Sequence, residues 1–179
     1  MTSTDSAKIA ALWRAMTAAD LADVVRIAAA AHPGLEERPD VFAEKLRLYP
    51  AGCLALEVGG AVAGYAFSHP WLIGDAPALD AFLGALPPAP DCLTLHDLAL
   101  APEARGRGAA AAAIDRLTGL AAAERLPAMT LVAVRGTHTF WARFGFIESS
   151  GDRLAAKLAA YGDGARAMTK RLAEPAGRA

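Results

Sequence analysis

Apolar and polar positions alternate along Leu93-Thr94-Leu95-His96-Asp97-Leu98-Ala99-Leu100, but the alternation slips by one residue at His96-Asp97. Alternation predicts a strand with one buried face, and the slip predicts a β-bulge that re-aims side chains. After Pro102 the period changes. Ile114, Leu117, Leu120 and Ala121 recur at helical spacing, with Asp115, Arg116 and Glu124 off that face, which predicts a helix from about Arg107 to Arg125 closed by Pro127.

The remaining pattern fills in around this unit. Ala11 to Ala15 reads as a short strand, and Thr17 as the N-cap of a helix carrying Leu21, Val24, Val25 and Ala28 until His32-Pro33 stops it. A second helix is predicted from Asp40 to Leu48. Cys53 to Val58 and Val62 to Ser68 read as strands joined by a Gly59-Gly60 hairpin turn. Ala128 to Val134 is a β-branched run suited to a buried strand, and the next segment places Phe140 and Phe144 on one face of a short helix that ends at Gly145. Ala165 to Leu172 is the last predicted strand. The order β-α-α-β-β-β-α-β-α-β-β is that of a mixed α/β fold.

One connection is long. From His69 to Asp91 the chain carries Pro70, Pro77, Pro87, Pro88 and Pro90 around a stretch to Leu86 that reads as helical. Connections of that length in compact domains often form lids or binding loops, so His69 and Trp71 are candidate substrate-binding residues.

Composition narrows the class. The chain has 179 residues, 54% hydrophobic and 21% charged, so a single domain over 1–179 with a sizeable core is expected, ending in a loose tail at 174–179. Much of the apolar share is alanine, which lowers the core volume. Net charge is −1 and no block of Lys or Arg occurs, so neither nucleic acid nor an anionic membrane is an expected partner. There is no apolar run long enough to span a bilayer and no basic leader before an apolar segment, so a cytoplasmic location is expected. Cys53 and Cys92 sit in apolar runs and read as small reduced core residues, and no metal site is expected.

The chemistry concentrates in Arg105-Gly106-Arg107-Gly108-Ala109-Ala110. Two glycines let the backbone approach a ligand, and the helix that follows presents unpaired amide N–H groups and roughly half a positive charge, a setting for a diphosphate. Arg105 and Arg107 add forked donors. Nucleotide hydrolysis in a P-loop needs Lys-Ser/Thr after the last glycine, and here Ala109-Ala110 follow; a dinucleotide fold needs Gly-x-Gly-x-x-Gly near the chain start.

What remains, Arg105-x-x-Gly108-x-Ala110 after a strand and a proline, resembles the pyrophosphate loop of the GCN5-related N-acetyltransferases (GNAT). The later strand, the Phe140-Trp141 helix and Gly145-Phe146 resemble that family's second motif. The resemblance implies an acyl-CoA N-acyltransferase fold, with a mixed central sheet splayed between its fourth and fifth strands and flanked by helices. It implies transfer of the acetyl group of acetyl-CoA to a primary amine of a small molecule or peptide by direct attack, and it allows a homodimer. The pantetheine arm would lie against Leu98, Ala99 and Leu100, the pyrophosphate against Arg105 to Ala110, and Trp141 would border the cofactor. Leu98 N–H would serve the oxyanion.

In arylalkylamine acetyltransferases, which have a similar His-x-Leu-Ala pattern, the position matching His96 is the base. An imidazole's ordinary pKa near 6.5 suits that role. Asp97 is expected on the opposite face, or as the base if the bulge turns it inward. Many relatives carry a tyrosine as leaving-group acid where this chain has Trp141; Tyr161 is the candidate replacement, beside water and a first-turn His138. Glu36, Glu37 and Asp75 carry the charge to attract a cationic amine, but read as solvated carboxylates. A module that binds acyl-CoA without turnover is the alternative.

Overall fold

The computed structural model describes residues 11–173. The expected tail at 174–179 lies outside the described residues. The chain runs β1 (Ala11–Ala15), α1 (Leu21–Ala31), α2 (Pro39–Leu48), β2 (Cys53–Val58), β3 (Ala61–Trp71), β4 (Cys92–Leu100), α3 (Ala109–Ala123), β5 (Ala128–Ala133), α4 (His138–Ala142), β6 (Ile147–Glu148), α5 (Asp152–Leu158) and β7 (Arg166–Arg171). The strands form one mixed sheet in the order β1-β2-β3-β4-β5-β7-β6.

Helices cover both faces. Ile114, Leu117 and Ala121 of α3 pack with Leu54, Leu56, Leu93, Leu95, Met129 and Leu131 on one face. Val24 and Ile27 of α1 and Phe42 of α2 pack with Tyr65, Phe67 and Ala99 on the other. Two bonds fix α3 against the edge strand: Trp13 Nε1 donates to Ala109 O at 2.8 Å, and Arg116 Nη1 donates to Trp13 O at 2.7 Å. Cys53 and Cys92 are buried and free.

The central pair is incomplete by design of its register. β4 and β5 run parallel and pair only at Leu93↔Met129, Thr94↔Thr130 and Leu95↔Leu131; beyond these residues the two strands part. The bulge falls where the alternation slips. On β3, Phe67 pairs with Asp97 and its neighbour Ser68 pairs with Leu95, so His96 is the extra residue. Leu93 and Leu95 before the bulge, and Leu98 and Leu100 after it, therefore all pack on the α3 face.

The structure differs from the sequence pattern in three places. β3 continues to Trp71, pairing His69 with Thr94 and Trp71 with Cys92, so the long connection begins at Leu72 rather than at residue 69. The helical stretch expected before Leu86 is absent. The amides of Asp80, Leu83 and Gly84 donate to the carboxylates of Glu37 and Glu44 instead of to helical carbonyls, and Asp80 has φ of 50°. Third, α5 lies between β6 and β7, where the sequence pattern predicts no helix; its Leu154 closes a small cluster with Ala76 and Ala167.

Candidate active site

The parting of β4 from β5 opens a gap edged by strand backbone. Ala101 N–H donates to Ala63 O on β3 at 2.8 Å. Backbone direction in a strand alternates with every residue, so Leu98 and Leu100 turn their N–H and C=O groups away from β3 and toward the gap. The Leu100 carbonyl is met there by Arg105 Nε at 3.0 Å.

Beside the gap, α3 begins at a bare N-terminus. Gly106 and Gly108 have φ of 71° and 76°, and a Cβ at either would meet nothing within 4 Å. This left-handed turn suits glycine and leaves open space over the backbone. The first helical bond runs from Ala112 N–H to Gly108 O, so the amides of Ala109, Ala110 and Ala111 precede it without helical partners. A groove runs from here along Leu98, Ala99 and Leu100 to Phe140, Arg143 and Phe144. Arg105 lines it. Arg107, exposed between two left-handed glycines, is not among its lining residues. Arg143, stacked over Phe140 at 5.0 Å, supplies a second cation that the sequence pattern did not single out.

The groove continues into a deeper cleft. Because His96 is the bulged residue, His96, Asp97 and Leu98 all line it, together with Glu37, His32, Trp141 and Tyr161. Asp97 thus faces the same cleft as His96, not the opposite face. Its carboxylate accepts the Tyr65 hydroxyl at 2.6 Å and pairs with His32 Nε2 at 2.9 Å.

Glu37 is no solvated carboxylate. It is buried, with Oε2 2.8 Å from His96 Nε2 and Oε1 3.3 Å from the buried Lys45 Nζ, and it accepts the Asp80 N–H at 3.0 Å. Burial alone would push its carboxyl up, but His96 and Lys45 outweigh that and hold it at about 2. With Nε2 donating to this carboxylate, Nδ1 of His96 has no protein partner among the described residues.

The other candidates divide. Tyr161 lines the cleft, but its hydroxyl donates to Pro77 O at 2.6 Å, and burial pushes its phenol upward. Trp141 forms part of the wall, edge-on to Phe146 and Phe140. Neither His69 nor Trp71 is among the cleft's lining residues. His69 is fully buried behind His96, with ring centroids 5.9 Å apart, because β3 runs three residues further than expected. Desolvation, then His96, push the His69 imidazole down to about 3.

A sequence model of the acetyltransferase (GNAT) family matches residues 21–146, well over half of the chain. The chain belongs to the GNAT family. Solved structures agree in fold. The loading GNATL domain of CurA from Lyngbya majuscula superposes with a TM-score of 0.75 at 10% identity, covering 90% of this chain and 98% of that one. Naa50 of Arabidopsis thaliana, in complex with the bisubstrate analogue CoA-Ac-MVNAL, gives 0.68 at 9% identity over 92% of this chain and 100% of that one. The PaiA N-acetyltransferase of Thermoplasma acidophilum, in complex with coenzyme A, gives 0.65 at 11% identity over 92% and 100%. No curated protein sequence matches the chain. The family model places the chain among acetyltransferases of the GNAT type, and the solved structures show that it has their fold.

Two residues that complete this GNAT site escaped the sequence pattern. Glu37 lies in Leu35-Glu36-Glu37-Arg38, which looks like surface, and only its long-range contact with His96 buries it. His32 reads as a helix stop and no more. Its pairing with Asp97 across the cleft is a tertiary fact.

Proposed function

We propose that the chain is an N-acetyltransferase that moves the acetyl group of acetyl-CoA to a primary amine by direct attack. The observation that carries this reading is one continuous path: the bare N-terminus of α3, then the gap-facing backbone of Leu98 and Leu100, then the cleft holding the His96–Glu37 pair.

The residues fit the donor. Amides of Ala109 to Ala111 and the cations Arg105 and Arg143 suit a pyrophosphate, and the open space over Gly106 and Gly108 admits it. Leu98 and Leu100 offer strand hydrogen bonds to the pantetheine amides. His96 is the base: Glu37 fixes Nε2 as the protonated nitrogen, so the lone pair of Nδ1 is left to take a proton from the attacking amine. Leu98 N–H is the oxyanion donor, a role worth about 3–4 kcal/mol in comparable sites. Glu37 touches no reacting atom and is a positioning residue.

Calorimetry with acetyl-CoA, together with thiol release across a panel of amines, tests the reading. Sub-millimolar binding with turnover of an amine is the expected result. Absence of binding would overturn it, and binding without turnover would favour the acyl-CoA-binding module, a reading to which Trp141 in place of tyrosine lends support.

A further inference from the structure

Acyl transfer to an amine leaves a thiolate, and the site described so far has a base but no acid. Trp141 has only an indole N–H, and the Tyr161 proton is engaged on the Pro77 carbonyl. His32 has the required position. Among the described residues it is the one ionisable side chain that lines both the nucleotide groove and the deeper cleft, so it stands at their junction.

Its surroundings favour the protonated ring. His32 caps the C-terminus of α1, its N–H bonded to Ala28 O at 2.8 Å, and a helix C-terminus attracts a cation. Asp97 pairs with Nε2 and is itself fixed by the Tyr65 hydroxyl. The charged groups facing it are Asp97 on β4, Glu37 from the segment after α1, and Arg135 from the turn after β5. Asp97 dominates and shifts the imidazole upward against burial and Arg135. Asp97 Oδ1, 2.9 Å from Nε2, favours a proton on that nitrogen although no aligned hydrogen bond forms there, and this leaves Nδ1 as the nitrogen that exchanges its proton.

We infer that His32, held by Asp97 and Tyr65, is the acid that protonates the departing coenzyme A sulfur, opposite His96 as the base. This rests on the acetyltransferase reading. The amine nitrogen forms its bond to the acetyl carbon, and the carbon–sulfur bond breaks with its electron pair going to sulfur. The substrate ammonium loses two protons in all. Both leave through His96 to solvent, while His32 gives its Nδ1 proton to sulfur and regains one from solvent, so that one proton is released per turnover.

The test uses coenzyme A and desulfo-coenzyme A as probes on the full chain, with binding read by calorimetry and the imidazole nitrogens by NMR. The His32 signals are assigned by their loss in H32Q. Coenzyme A should shift His32 Nδ1 while desulfo-coenzyme A leaves it near its free position. The bound thiol should also ionise about tenfold more readily in the parent than in H32Q. If both probes bind and shift His32 alike, or the thiol ionises equally in the two proteins, the acid role is overturned and the acetyltransferase reading stands. If neither probe binds, that reading falls and this one with it. A purely structural His32 would not distinguish the two probes.

Discussion

Glu37 Oε2 lies 2.8 Å from His96 Nε2, with both side chains almost wholly withdrawn from solvent. The pair joins a segment between two helices to a bulge in the central sheet, 59 residues away in sequence.

If His96 takes the amine proton, H96A lowers kcat by about 10²–10⁴-fold and leaves coenzyme A affinity unchanged. Steady-state kinetics beside calorimetry reads both. A loss of affinity equal to the loss of rate would argue against the base.

Glu37 also makes stability depend on acid. Its folded-state value of about 2 lies below the usual 4.5, so the ionised carboxylate stabilises the fold fully above about pH 4.5 and loses that contribution as pH falls through about 2. The contribution is on the order of 3 kcal/mol. Urea titrations from pH 6 to pH 2 should show E37Q less stable than the parent at the upper end and converging toward it at the lower.

His69 acts in a higher window, and in the same sense. Its folded-state value of about 3 lies below the ordinary 6.5, so the unfolded chain binds a proton that the folded one refuses between those limits. Stability is full above about pH 6.5 and declines by about 1.4 kcal/mol per unit as pH falls toward 3. H69N removes that slope. A variant with the parent's slope from pH 6.5 to 4 would contradict the assignment.

At the helix start, G108E should abolish coenzyme A binding by placing a carboxylate among the amides of α3. G108A should bind more weakly than the parent through the left-handed φ alone, which costs a residue with a Cβ about 1–2 kcal/mol. Calorimetry orders the three proteins.

Y161F removes the bond to Pro77 and should cost about 1 kcal/mol of stability, since the carbonyl left behind is buried. kcat should hold near the parent value. A hundredfold fall in kcat with stability intact would return the acid role to Tyr161.

Much of this was legible in the chain because the deciding features are local. The slip at His96-Asp97 announces the bulge, and glycines at 106 and 108 announce a turn that only they adopt without strain. The rest depends on partners far away in sequence. The stretch around Ala81-Phe82-Leu83 has helical composition, but Glu37 and Glu44 capture its amides. The α5 helix has little more than Leu154 and Leu158 to mark a face, and alanine leaves no readable period. Asp97 changed side because alternation fails at the bulge itself.

The inserted residue in β4 acts on the strand as a frameshift acts on a reading frame. Upstream of His96, odd-numbered side chains face α3; downstream, even-numbered ones do. Excising His96 would remove the bulge and set Leu95 and Asp97 side by side against Ser68 and Phe67, with Leu98 and Leu100 still on the α3 side and Ala99 still on the α1 side. The extra residue therefore adds a side chain to the cleft without moving those beyond it, so that His96 and Asp97 both stand where a regular strand would present one.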